Sequence, residues 1–185
     1  RGHGLHEYYG IDPNEVDIWM GTLSKTLSAC GGYIAGNASL IEWLKHSAPG
    51  FVYSVGLAPA LAAAALESLA IMHAEPERVA RLHANAALFL GLAREAGFDT
   101  GTASAHAIIP VILGSSIAAA RYSQLLLARG INVQPIIYPA VAEKAARLRF
   151  FISSEHTNAD IRATIAALIV HSECSASRSG RPCWA

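Results

Sequence analysis

Residues 16–36 read VDIWMGTLSKTLSACGGYIAG, and this stretch guides the interpretation of the whole chain. Its first five residues are apolar apart from one aspartate, which predicts a buried strand. Lys25 follows among small hydroxyl residues, and the pair Gly31-Gly32 comes next. Functional side chains gather where buried strands end. Lys25 is therefore a candidate for covalent attachment of an aldehyde cofactor through an imine.

Imine chemistry restricts which lysine can serve. An amine attacks a carbonyl only after it has lost its proton, and burial or a nearby cation favours that neutral form. No carboxylate lies within five residues of Lys25, and the flanking residues are apolar or uncharged. The alternative is an ordinary surface lysine in a turn. The chain has only two other lysines, Lys45 and Lys144, and neither has a comparable setting.

The composition excludes several classes of function. Lysine plus arginine (14) equals aspartate plus glutamate (14) in 185 residues, so no net charge attracts nucleic acid or an anionic membrane. The three cysteines have no CxxC spacing and the eight histidines are scattered, so neither a disulfide framework nor a metal site is predicted. No apolar run approaches the roughly 20 residues of a membrane span. A reduced, cytoplasmic setting is the expectation.

Helix and strand signals alternate along the chain, which predicts an α/β protein. The predicted strands cover residues 16–20, 33–35, 51–54, 108–113, 130–137 and 148–152. The predicted helices cover residues 38–46, 59–74, 75–95, 116–129 and 158–170. Residues 171–185 are rich in serine, arginine and glycine and lack periodicity, which predicts a disordered tail.

Motifs along residues 1–170 resemble one known family and follow its order. They are residues 17–36, 51–59, 108–111 and 146–150, followed by His156-Thr157. The family is that of the α-oxoamine synthases, pyridoxal-phosphate (PLP) enzymes of aminotransferase fold type I. It includes 8-amino-7-oxononanoate synthase, 2-amino-3-ketobutyrate CoA ligase, 5-aminolevulinate synthase and serine palmitoyltransferase.

The resemblance implies a fold as well as a cofactor. The chain would be the C-terminal part of a fold-type-I PLP-dependent transferase. Residues 1–98 would belong to the large PLP-binding domain, with the lysine loop and connecting helices, and residues 99–170 would form the small C-terminal α/β domain. The chain is then expected to be part of a longer enzyme, whose preceding segment would supply an aspartate and a histidine that contact the PLP ring.

The resemblance also assigns roles to individual residues. Lys25 would bind PLP covalently and move the proton at the substrate's α-carbon. Thr22 and Ser24 would contact the cofactor phosphate, and Ser54 would reach the phosphate across the interface of a homodimer with shared active sites. Arg149 would bind the carboxylate of the amino acid, because arginine offers a planar and permanently charged fork. Without the resemblance, such hydroxyls would serve turns and such an arginine a surface ion pair.

Two neighbours of these residues are expected to be structural. Arg147 shares a strand face with Arg149, but the family pattern gives the carboxylate to the second arginine. His156 is expected to make hydrogen bonds in the turn after that strand. Cys30 has no visible base beside it, so it is expected to pack in the tight turn rather than act as a nucleophile.

The implied reaction condenses an amino acid with an acyl-CoA or acyl-carrier-protein thioester, with decarboxylation, to an α-amino ketone. Two alternatives stay open. One is a non-catalytic partner or regulatory subunit of such a synthase, although Lys25, Thr22 and Arg149 together argue against it. The other is a different fold-type-I enzyme, such as an aminotransferase.

Overall fold

The computed structural model describes residues 2–176, with side chains up to residue 170. The chain forms two compact units, of which one ends at Glu77 and the other begins at Arg78. The helix over residues 77–95, which was predicted to group with the lysine loop, lies in the second unit apart from its first residue, Glu77. The division at residue 98 into parts of a large and a small domain stays a prediction.

The described part of the chain contains seven α-helices and five strands. The helices are α1 (Leu5–Tyr9), α2 (Ala38–Ser47), α3 (Pro49–Val52), α4 (Pro59–Ala74), α5 (Glu77–Glu95), α6 (Ser116–Leu127) and α7 (Asn158–Ala176). The strands are β1 (Ile18–Thr22), β2 (Gly32–Gly36), β3 (Ile108–Ile112), β4 (Gln134–Ile136) and β5 (Arg147–Phe151). Short 3-10 helices cover Pro13–Glu15 and Glu143–Ala145.

The first unit is built around an antiparallel pair of strands. β1 and β2 align so that Thr22 lies opposite Gly32, and the loop between them carries Lys25. This confirms the predicted pairing across the lysine loop. α2 follows directly, and the Asn37 side chain caps it by accepting a hydrogen bond of 2.8 Å from the backbone N–H of Ser39.

The first unit has little core. Among residues 2–77, only Ala65 is buried. Met20 on β1 is 78% exposed and Ile34 on β2 is 51% exposed. The prediction that the strand before Lys25 is buried is therefore wrong for this structure. Two strands and one flanking helix provide too little surface to cover both faces of the pair.

The segment after α2 also differs from the prediction. Residues 51–54 were expected to be extended, but Pro49–Val52 forms the short helix α3 and Tyr53 continues it with φ −102° and ψ 12°. Proline fixes φ near its helical value, so a proline in the first position favours a turn of helix. α4 begins at Pro59, as the sequence predicts.

The second unit contains a three-stranded antiparallel sheet in the order β3-β5-β4. Leu148 and Phe150 on the central strand point into the core, whereas the alternate side chains point outward. Phe89 of α5 lies against Phe150, with ring centroids 4.8 Å apart. Leu126 of α6 and other buried apolar residues of α5 and α7 complete this core.

The C-terminal helix is longer than predicted. α7 continues to Ala176, so the tail expected from residue 171 is wrong for residues 171–176. None of these six residues is glycine or proline, the two residue types that most strongly disfavour a helix. The rest of that predicted tail, 177–185, lies outside the described residues. None of the described helices is long and apolar enough to cross a membrane.

Candidate functional site

The loop that carries Lys25 is closed by backbone hydrogen bonds. The N–H of Leu23 donates to the carbonyl of Gly31 at 2.9 Å, and the N–H of Ala29 donates to the carbonyl of Leu23 at 2.9 Å. A third bond of 3.1 Å joins the Ser28 N–H to the carbonyl of Lys25. These bonds hold the backbone around Lys25 in a defined turn between β1 and β2.

Glycines at the base of this loop allow the strands to approach closely. A Cβ on Gly32 would lie 2.9 Å from the carbonyl oxygen of Gly21 on the opposite strand, so a side chain there would force the backbones apart. Gly31 has φ +111°, a conformation that residues with a Cβ rarely adopt. The glycine pair after the lysine is thus required by the hairpin itself.

Two hydroxyl groups lie together on this loop. Thr22 Oγ1 and Ser24 Oγ are 2.8 Å apart, and the Ser24 N–H donates to Thr22 Oγ1 at 3.2 Å. Thr22 Oγ1 also lies 3.4 Å from the carbonyl oxygen of Gly31. Thr22 therefore makes hydrogen bonds within the turn, which is the role expected of such a hydroxyl without the family resemblance. When Thr22 Oγ1 donates to the carbonyl of Gly31, Ser24 supplies the proton of the bond between the two hydroxyls, so both hydroxyl protons are used within the loop.

The Lys25 side chain is exposed. Within the described part of the chain, its amine makes no hydrogen bond or ion pair. Lys45 differs, because its Nζ lies 2.6 Å from Glu42 Oε1. The buried setting expected for Lys25 is not present. The loop carries one unpaired amine, at Lys25, and two exposed hydroxyl residues, Thr22 and Ser24.

Ser54 lies apart from this loop. It follows α3 in an exposed turn, where its Oγ donates to the carbonyl of Phe51 at 3.4 Å. The structure does not join it to Thr22 or Ser24 by a hydrogen bond.

Arg149 lies in the second unit, on the outward face of β5. Its guanidinium carbon lies over the Phe151 ring, 4.9 Å from the centroid. Within residues 2–170, whose side chains the structure describes, the guanidinium has no hydrogen bond or ion pair. Arg147 differs, because its Nε donates to the carbonyl of Ala145 at 2.7 Å. This bond fits the expected structural role of Arg147.

The turn after β5 is held by a residue that the sequence analysis missed. Asn85 on α5 is 8% exposed, and its amide donates to the carbonyls of Ser153 at 2.9 Å and His156 at 2.8 Å. The His156 ring accepts from the Ser153 N–H through Nδ1 at 3.2 Å, which is the hydrogen-bonding role expected for it. The signal for Asn85 was a lone polar residue within the apolar stripe of α5.

A carboxylate, that of Glu143, holds the start of α6. Glu143 accepts hydrogen bonds from the hydroxyl and from the backbone N–H of Ser116, and these bonds hold the pKa of Glu143 below its ordinary value. At the start of α7, the Thr157 hydroxyl and backbone N–H lower the pKa of Asp160 in the same way. Both carboxylates are structural caps rather than parts of the candidate site.

Comparisons with known proteins agree with this description. The model of the family "Aminotransferase class I and II" matches residues 4–168. The 8-amino-7-oxononanoate synthase of Symbiobacterium thermophilum is 40% identical over 167 residues, which are 90% of this chain and 42% of the relative. The serine palmitoyltransferase of Bacteroides thetaiotaomicron is 36% identical over 169 residues, which are 91% of this chain and 42% of that protein.

A solved structure is similar as well. The serine palmitoyltransferase of S. paucimobilis, with a bound PLP–myriocin aldimine, matches with a TM-score of 0.85 at 27% identity. The match covers 96% of this chain and 44% of that chain. This chain thus spans about two fifths of the length of its relatives and aligns with their C-terminal portion. The predicted fold class, the C-terminal part of a fold-type-I transferase, is confirmed. The chain belongs to the aminotransferase class I and II family and, within it, to the α-oxoamine synthases.

Proposed function

We propose that this chain carries the cofactor lysine and the carboxylate-binding arginine of a PLP-dependent α-oxoamine synthase. The enzyme would condense an amino acid with an acyl-CoA or acyl-carrier-protein thioester, with decarboxylation, to an α-amino ketone. The observation that carries the proposal is the lysine loop, which carries the unpaired amine of Lys25 together with the exposed hydroxyl residues Thr22 and Ser24. Membership in the α-oxoamine synthases supports it.

The residues of this loop suit an aldehyde that also carries a phosphate. Lys25 would bind the aldehyde carbon of PLP, and the hydroxyls of Thr22 and Ser24 would donate to its phosphate. Gly31 and Gly32 add no side chain beside them. When bound, PLP supplies an electron sink for a negative charge at the substrate's α-carbon. Ser54 would contribute its hydroxyl to the phosphate in the partner subunit of a homodimer.

Arg149 and Lys25 would have different roles toward the amino acid. Arg149 would bind the carboxylate through two parallel N–H donors, which fixes direction as well as charge. The amine of Lys25, once free, would accept and return the proton at the α-carbon. A lysine that moves a proton in this way needs no carboxylate held in an ion pair with it, and Lys25 has none among the described residues. A cytoplasmic location belongs to the same proposal.

Cofactor attachment is tested by reductive labelling. The chain is treated with PLP, reduced with borohydride and digested, and the label is mapped to its three lysines. We expect label at Lys25 well above Lys144, which serves as the exposed control, and above the ion-paired Lys45. Lys25 should carry less label in the Thr22→Val variant. It should also carry less label when pyridoxal, which lacks the phosphate, replaces PLP. Equal labelling of Lys25 and Lys144 would contradict the proposal.

The reaction is tested in the complete polypeptide that the gene encodes. Release of carbon dioxide and of free thiol from an amino acid and an acyl thioester, abolished by Lys25→Ala, is the expected result. Amino-group transfer that requires a keto acid would instead indicate an aminotransferase. Binding of a second synthase chain without any turnover would indicate a regulatory subunit.

A further inference from the structure

We propose that Phe151 is a positioning residue for Arg149, and that its ring holds the guanidinium ready to receive a substrate carboxylate. The inference rests on the proposed function, which gives Arg149 the carboxylate of the amino acid. The two residues lie two positions apart on β5, so both side chains project from the same outward face of the sheet.

The contact between them is a cation–π interaction. Arg149 Cζ lies over the ring at 4.9 Å from its centroid, inside the range of about 6 Å over which such pairs attract. Phe151 is 52% exposed, so the contact is made at the surface, where a ligand can reach the cation. A long side chain loses conformational freedom when it binds a ligand. A ring that already restricts Arg149 reduces that loss.

The rest of this face leaves the guanidinium available. Pro110 and Gln134 lie directly opposite Arg149 on the neighbouring strands, and Ile108 lies opposite Phe151. None of these side chains is acidic. Because Arg149 has no ion pair or hydrogen bond to any residue that the structure describes, its N–H donors are open to a ligand.

Arg147 provides a comparison on the same strand. Its Nε donates to the carbonyl of Ala145, so part of its fork is already used within the protein. Arg149 instead contacts an aromatic face, which attracts the charge without occupying any N–H. The Phe151 ring thus restricts the Arg149 side chain and leaves its N–H donors open to a ligand.

The experiment uses the 185-residue chain labelled with ¹⁵N-arginine and acetate as the carboxylate probe. The Nε–Hε signal of Arg149, assigned with Arg149→Lys, is followed during titration at constant ionic strength with chloride as the salt control. Three variants are compared with the wild type. Phe151→Leu removes the ring, Phe151→Tyr keeps it, and Ile108→Ala trims the apolar neighbour opposite, which is 50% exposed.

We expect Phe151→Leu to weaken the apparent affinity of Arg149 for acetate about two- to five-fold. It should also remove the ring-current shift of the Arg149 side-chain protons. Phe151→Tyr should restore both properties, and Ile108→Ala should change neither. In the active complete polypeptide, Phe151→Leu should raise KM for the amino acid and leave kcat near its original value, because carboxylate binding is used in ground and transition states alike.

If Arg149 binds acetate equally well in the wild type and in Phe151→Leu, the positioning role of Phe151 is overturned, and the carboxylate role of Arg149 is not. A wild-type Arg149 signal that does not respond to acetate would overturn the carboxylate role within the proposed function. The labelling of Lys25 by PLP is independent of both results, so the two failures can be told apart.

Discussion

Gly32 shows how one missing side chain shapes the candidate site. The carbonyl oxygen of Gly21 occupies the position next to its absent Cβ, at 2.9 Å. The neighbouring atom is backbone, so it cannot swing away as the end of a flexible side chain would. The strand pair at this point, and with it the base of the Lys25 loop, depends on glycine at position 32.

The substitution Gly32→Ala should therefore destabilise the hairpin. We expect a loss of about 1–3 kcal/mol in the free energy of unfolding, because the added methyl group overpacks against a strand. Denaturation followed by the fluorescence of Trp19 and Trp43, in a Trp184→Phe background, measures this loss. Gly50→Ala is the matched control, since nothing lies within 4 Å of the Cβ that it would add. Equal stability of the two variants would contradict the reasoning.

At the scale of elements, side-chain anchors join segments that are distant in sequence. Asn85 of α5 holds the turn after β5 through bonds that span 68 and 71 residues. Glu143 of the 3-10 helix holds the first residue of α6 across 27 residues. The turn after the central strand β5 is thus held by a helix side chain, Asn85. The loop before β5 is joined through Glu143 to the start of α6.

Removal of the Asn85 amide should be costly. Asn85→Ala leaves two carbonyls without their donor in a buried place, and we expect a loss of about 1–3 kcal/mol in unfolding free energy. Asn85→Asp should be worse, because a carboxylate would then face two carbonyl oxygens. Urea denaturation measures both losses. A stable Asn85→Asp protein would show that the turn does not need this anchor.

The Glu143 anchor predicts a dependence on pH. Its pKa is lowered in the folded chain, so its stabilisation is present above the ordinary value of 4.5 and is lost as the pH falls through the folded value. The melting temperature of the wild type should exceed that of Glu143→Gln at pH 7, and the difference should shrink below about pH 4.5. Asp160 titrates in both proteins, so its effect cancels. A difference that is constant with pH would contradict this role.

Local signals predicted many of these elements well. The predicted starts of the helices at residues 38 and 59 agree with α2 and α4, because caps and prolines act over a few residues. The rule was not applied at Pro49, where residues 51–54 were predicted to be a strand but Pro49 begins the short helix α3. Lys25 was placed correctly in a hairpin loop. Asn85 was missed because its role depends on a bond across 68 residues, which local spacing does not reveal. The spacing of Phe151 and Arg149 places them on one strand face, but only the structure shows the ring against the guanidinium.

At the scale of the whole molecule, the two units differ in how much they bury. Ala65 is the only buried residue among residues 2–77, whereas the second unit has a continuous apolar core around Phe89, Leu148 and Leu168. Apolar patterning around β1 was the reason for expecting burial there. Patterning reports which side chains favour burial, but it does not show that enough surface is present to cover them.

Hydrogen exchange should separate the two units. Amides of β3 and β5 should exchange much more slowly than those of β1 and β2, because local opening is easiest where little apolar surface is buried. Exchange measured by NMR on the 185-residue chain gives both sets in one sample. Equal protection of the two sheets would contradict the difference in burial.

The two-stranded sheet has a practical consequence for handling this polypeptide. Within the described residues, β1 and β2 pair only with each other, so each presents one lateral row of amides and carbonyls to its surroundings. Such rows are templates for intermolecular strand addition, and nearby Met20 and Ile34 would favour it. Concentrated solutions should therefore become turbid sooner than dilute ones, and a lysine introduced at position 34 should delay that clouding.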